Sequence, residues 1–254
     1  MGGESPPLFG GFMAAITEAK LVARVRQRAD MESNDFVSDT EVQTYINAGI
    51  SELHDILIQT YGQDYYVSSA TFNTVAGTDS YPINSSTSGP NISDFYKLRG
   101  IDAKINGSDY FTLRPFNFNE RNLYQNWGTW SLLGLTNIRY RMVGDNIVFT
   151  PKPDGATEVK VWYIPTAQQF DSTAPATSTT TFADINGYAE YVVIDAAIKC
   201  LQKEESDVTI LIQQKMMMKR RIEEAANNRD AGSPLSVTDI YVANDEFWFT
   251  RSTS

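Results

Sequence analysis

The sequence predicts an α+β fold: an α-helical bundle with a β-rich insertion and extended N- and C-terminal tails. Three observations point there. Apolar residues recur at helical spacing over residues 12–62 and again over 184–231. Between them, residues 63–183 lose that period and carry short β-branched and aromatic runs broken by turn residues. The two ends, 1–11 and 232–254, have no helical period and contain Pro-Pro, Gly-Gly and Gly-Ser-Pro breaks.

Residues 1–11 read as a flexible tail. They hold Glu4 and no Lys or Arg, unlike a secretory signal. From Phe12 to Ala29, the apolar positions Phe12, Ala15, Ile16, Ala19, Val22 and Ala23 predict a helix. Lys20, Arg24 and Arg28 share another face of it at four-residue steps, and Arg26 lies to one side. After a linker, Asp30 to Val37, the run Ser38-Asp39-Thr40-Glu41 matches a capping box. The apolar set Val42, Tyr45, Ile46, Gly49, Ile50, Leu53, Ile56, Leu57 then predicts a second helix, ending near Gly62.

Strands are predicted at Tyr65–Phe72, Phe95–Ile105, Tyr110–Leu113, Ile138–Val143, Asn146–Thr150 and Glu158–Ile164. Asn106-Gly107 and Gly144-Asp145-Asn146 are turn signals, and residues 140–149 read as a hairpin. Asn84–Asn91 and Asp171–Thr181 read as loops, and Asn117–Leu132 as a short helix followed by a loop. In the third zone, Tyr188, Tyr191, Val192, Ala196 and Ile198 begin a helix that runs to about Glu205. Ser206 is a plausible N-cap for the last helix, whose apolar side is Val208, Leu211, Ile212, Met218, Ile222 and Ala225. The C-terminal tail carries Ile240-Tyr241-Val242 and Phe247-Trp248-Phe249. Helices with one apolar stripe bury it most easily against each other, so the two helix pairs are expected to make one bundle.

Composition narrows the function. The chain has 254 residues and a formal net charge of −10, which argues against a general nucleic-acid coat. Residues 1–62, 63–183 and 184–254 carry net −5, −1 and −4, which puts the acidity in the helical parts. One cysteine excludes an internal disulfide or a Cys-built zinc site, and one histidine leaves little for a His-centred relay. No run of roughly 18 apolar residues exists, so no membrane span is coded.

Catalytic constellations are hard to assemble. His54 has no accompanying nucleophile motif and reads as a half-exposed helical residue. Cys200 reads as a small buried hydrophobe, and no phosphate-cradling Gly pattern is present. Glu204-Glu205 and Glu223-Glu224 fall at helix ends, where a solvated face explains them, and nothing fixes any carboxylate pair at catalytic separation. No catalytic residue, metal site or cofactor is therefore assigned.

Binding surfaces are easier to nominate. Lys219, Arg220 and Arg221 fan over nearly a helical turn. They are either a solvated face partnered by Glu223 and Glu224 or a patch facing DNA or an acidic partner, together with Arg24 and Arg28. Tyr124, Trp127 and Trp130 could stack sugars, anchor an interface, or pack the insertion's core. Phe247, Trp248 and Phe249, with Tyr241, are candidate partner anchors, because three adjacent exposed aromatics would be adhesive.

Two stretches resemble a known family. Glu18-Ala-Lys-Leu-Val-Ala-Arg-Val-Arg-Gln-Arg28 and Val37-Ser-Asp-Thr-Glu-Val-Gln-Thr-Tyr-Ile-Asn-Ala-Gly-Ile-Ser-Glu-Leu-His-Asp-Ile-Leu57 resemble the opening helices of head-to-tail adaptors of tailed bacteriophages. These are also called connector or head-completion proteins and include tail tubular protein A-like members. The resemblance implies a structural virion protein of the head-tail neck, made in the host cytoplasm. It would form a ring, typically a dodecamer, beneath the portal protein and continue the DNA channel towards tail or nozzle proteins. Genomic DNA would pass through without specific binding. The competing expectation, from the aromatic insertion, is a virion carbohydrate-binding or cell-wall-degrading protein, with Trp127 and Trp130 in a groove beside carboxylates.

Overall fold

In a computed structural model of the chain, the described residues are 14–32, 36–62, 64–105, 109–120, 122 and 138–227. The fold is α+β, with four helices and three sheets among these residues. The expected tails, 1–11 and 232–254, and the Tyr124, Trp127 and Trp130 cluster lie outside them.

The described residues begin with a strand. β1 (Ala14–Thr17) pairs antiparallel with β10 (Thr181–Asp184), placing Ile16 opposite Phe182. This corrects the expectation of a helix from Phe12. Helix α1 (Glu18–Arg28) starts only where Thr17 caps it, its hydroxyl accepting from the Lys20 N–H. α1 buries Leu21, Val22 and Val25. The capping box at Ser38 forms as predicted. Ser38 Oγ accepts from the Glu41 N–H at 3.3 Å, and Glu41 accepts from the Ser38 N–H at 3.0 Å. It launches α2 (Asp39–Tyr61), which Gly62 ends at φ 87°.

The β region is two four-stranded sheets closing on one hydrophobic cluster. The first has the order β2 (Ser68–Asn73), β9 (Glu158–Pro165), β4 (Phe95–Ile105), β5 (Asp109–Thr112). The second has the order β3 (Ser80–Pro82), β8 (Asn146–Thr150), β7 (Arg139–Val143), β6 (Arg114–Pro115). Alternation sets the buried faces: Val159, Val161 and Tyr163 from β9 point in with Ile147 and Phe149 from β8. The predicted hairpin is β7–β8, turning at Gly144-Asp145. The predicted strand at Tyr65 begins instead at Ser68, because residues 64–66 form a turn whose tyrosine rings pack together, Tyr65 on Tyr66 at 4.8 Å. The short strands β1, β3, β6 and β10 carried no readable alternation.

The chain returns to the helices through residues 166–188. Phe170 enters the helical core, pinned by a reciprocal pair with Asn47: the Phe170 N–H donates to Oδ1 and Asn47 Nδ2 donates to the Phe170 carbonyl, both at 2.9 Å. α3 (Ala189–Lys203) is buried along almost its whole length, and α4 (Thr209–Asn227) packs on α3 and α2. Ser206 does not cap α4. The helix starts at Thr209, and the neighbouring Asp207 carboxylate accepts both the Thr209 N–H and its hydroxyl. The helical part is also not a bundle closed on itself, since Ile16, Phe182 and Phe170 complete its core.

Candidate interaction surface

Two features of the helical layer hold side chains with chemical character: a buried polar tie and an exposed apolar edge. The tie starts from Asp195. Sequence surrounds it with apolar residues on α3, so helix formation carries its carboxylate inside. It is only 3% exposed. Lys199, one turn on, donates to its Oδ2 at 2.6 Å, and Lys215 of α4 donates to its Oδ1 at 2.8 Å. Lys215 also reaches Glu52 of α2 at 2.8 Å, and Glu52 accepts the Tyr191 hydroxyl at 2.6 Å. Burial alone would depress the Lys215 ammonium, but Asp195 and Glu52 outweigh it and hold its pKa above the ordinary value. Burial and the Glu52 carboxylate together push the Tyr191 hydroxyl upward. Gly49 makes the approach possible: a Cβ there would sit 3.0 Å from Asp195 Oδ2 and 3.3 Å from Val192 Cγ1.

Asp195→Ala therefore strips Lys199 and Lys215 of their shared acceptor. Lys199 can swing into water and Lys215 keeps Glu52, so the cost is about 1–3 kcal/mol, below that of breaking an isolated buried pair. Urea denaturation checks it, and a loss under 0.5 kcal/mol would mean that the tie contributes nothing.

His54 is buried, not half-exposed as the sequence suggested. It stacks on Tyr66 at 4.9 Å and meets Tyr96 edge-on at 5.8 Å. It borders an apolar cavity of about 220 Å³ lined also by Ile50, Leu53, Leu57 and Phe182. Burial depresses its pKa below the ordinary 6.5, against a smaller pull upward from Asp55. The folded state thus binds less proton than the unfolded chain. Stability from this site is complete above pH 6.5 and falls as pH drops through that value towards the folded pKa. Comparing wild type with His54→Phe between pH 7.5 and 5, the variant is expected to lose less stability on acidification. Parallel curves would refute this.

Burial pushes the Cys200 thiol up to about 11, so it has little thiolate at neutral pH. Among the described residues, no cluster of three or more His, Cys, Asp or Glu is placed to hold a metal, and no helix is long and apolar enough to cross a membrane.

The basic residues do not form one patch. Arg24 is exposed on α1, whereas Arg28 is tied to Glu190 at 3.1 Å and Gln214 at 3.0 Å. Arg220 pairs with Glu224 at 2.8 Å, one turn away, as a solvated face would. Lys219 lines a groove between α4 and α3. Arg26 anchors the linker instead, donating to Asp39 at 2.6 Å and to the Val37 carbonyl at 2.8 Å. Tyr241, Phe247, Trp248 and Phe249 lie outside the described residues.

The exposed edge is α4. Of its expected apolar side, Ile222 is buried and Leu211 and Met218 are partly so, while Ile212 and Ala225 face outward. Ile210, Met216 and Met217 are 67%, 66% and 72% exposed. A helix that shows such residues on its free side suits protein contacts better than chemistry.

The family model described as SU10 adaptor protein matches residues 16–238, most of the chain. The chain belongs to this phage head-tail adaptor family. It is thus a phage adaptor, a structural component of the virion that contacts other virion proteins. The SU10 adaptor match spans the whole β region and nearly all of both helical segments, whereas the residue-level resemblance was confined to residues 16–62. A search of curated proteins finds no match.

Proposed function

We propose that copies of this adaptor form a ring beneath the portal protein, continue the DNA channel, and receive tail or nozzle proteins on the far side. The observation that carries this is the family match over residues 16–238. Physical considerations support it. A head-to-tail interface closes into a ring when its rotation is a whole fraction of a turn, and the resemblance implies twelve copies. A net charge of −10 per chain suits a wall that passes DNA without holding it. In this reading the helical segments 12–62 and 184–231 form the ring body, and the β region, 63–183, projects from it. The tails, 1–11 and 232–254, make contacts on docking. Tyr241, Phe247, Trp248 and Phe249 are the partner anchors, and Arg24, Arg28, Lys219, Arg220 and Arg221 face the channel or a partner.

The free protein is a monomer or weak oligomer that assembles on the portal, because the contacts its tails make with portal and neighbouring subunits form only on docking. Native mass spectrometry of the protein alone and mixed with portal particles tests this. A ring found only on portal particles is the expected result. A stable closed ring of the isolated protein would overturn assembly on docking, and no association with portal particles would overturn the adaptor position itself.

A further inference from the structure

One flank of α4 borders a groove of about 310 Å³, where Ile212, Met216 and Lys219 face Tyr191, Ile198 and Gln202 of α3. Its apolar wall comes from Ile198, Ile212 and Met216, the last of them 66% exposed. Its cationic rim is Lys219, while Lys215 is committed to Asp195 and Glu52 at the base. The groove therefore suits a segment that combines large apolar side chains with negative charge.

The chain's own C-terminal segment has that composition: Asp245-Glu246-Phe247-Trp248-Phe249 sets two carboxylates directly before three aromatics. We infer that this segment folds back into the α3–α4 groove of its own chain, the aromatics covering Met216 and Ile212 and the carboxylates facing Lys219. The reach is ample. Residues 228–244 separate α4 from Asp245 and can span about 60 Å when extended. Lys219 and Ile212 lie only about 12 and 22 Å back along the helix from Asn227. Gly232-Ser233-Pro234, five residues past the helix end, supplies turn chemistry for the reversal. Such a tether keeps the segment near millimolar effective concentration, so even weak intrinsic affinity closes the groove. The consequence deepens the assembly-on-docking reading and rests on it: an adhesive groove and an adhesive tail mask each other until a virion partner displaces the tail.

The test uses a fluorescent peptide of residues 240–254 and three full-length proteins. These are wild type, the tail variant F247A/W248A/F249A, and the tail variant with M216E added. Met216 is exposed, so its substitution should leave the fold intact, which circular dichroism melting verifies. The peptide should bind the tail variant saturably. It should bind wild type about tenfold or more weakly, because the tethered segment competes, and should not bind the M216E combination. Equal binding to wild type and the tail variant would overturn the fold-back. Binding unaffected by M216E, or no binding to any protein, would overturn the groove assignment. Neither failure touches the ring and portal reading, which the mass measurement decides separately.

Discussion

Ile46→Ala should cost about 4 kcal/mol, towards the upper end of the roughly 2–5 kcal/mol range for such truncations, whereas Ile50→Ala and Leu53→Ala should fall towards the lower end. All three side chains are buried on the same stripe of α2, at 0%, 3% and 3% exposure. The difference is what lies beside them. Ile50 and Leu53 already border the cavity next to His54, so truncation widens existing space into which neighbouring side chains can relax, and fewer contacts are lost. Ile46 does not line that cavity, so its removal leaves a new void whose walls lose dispersion contacts outright. Urea unfolding with the slope compared between variants measures the order. Equal losses at all three positions would mean that the cavity does not soften the site. An unchanged midpoint at Ile50 and Leu53 would mean that the stripe is not core.

Where a signal is local, the sequence carried it. The Ser38 capping box, the α2 stripe, β4 and the β7–β8 hairpin rest on residues within a few positions of each other, and their side chains fix the local backbone. What failed depends on residues far apart. Ala15 and Ile16 fit a helical period, but pairing with β10 from more than 160 residues away makes them a strand. Tertiary hydrogen bonding overrides propensity there. His54 looked half-exposed because its own helix was the only neighbour in view, while Tyr66 and Tyr96 cover it from the β side.

The polar tie was partly legible. Asp195 sits among Val192, Val193, Ile194, Ala196 and Ala197, and a carboxylate in an apolar helix needs a buried cation. That the cation is Lys215 of the next helix required the packing of α4. The same packing explains the exposed methionines. Lys215, Met218 and Ile222 recur on the inward stripe, which turns Met216 and Met217 away from it. Of Met216, Met217 and Met218 only Met218 was placed on the helix's apolar side, and only Met218 packs against the core. The family was legible only through the resemblance of Glu18–Arg28 and Val37–Leu57 to known adaptors, which capping and periodicity do not supply.

Deleting residues 234–254 should leave thermal stability nearly intact and abolish stable docking to the portal or to neighbouring subunits. The Gly232-Ser233-Pro234 break separates this segment from α4, so few core contacts are expected to cross it. Seating of Phe247, Trp248 and Phe249 in the α4 groove would add only a tethered, weak interaction, worth a shift of a few degrees by mass action. Their larger effect is on assembly, where aromatic anchors concentrate binding energy. A rival arrangement adds Val237–Val242 as a strand to the chain's own β region, whose sheet edges include the short β3 and β6. The deletion would then unfold the protein far earlier and expose apolar surface to dye. Melting curves and portal co-sedimentation of truncated and full-length protein separate the two outcomes. A truncated protein that docks as well as the full chain, or that melts far below it, would remove the tail from the assembly interface.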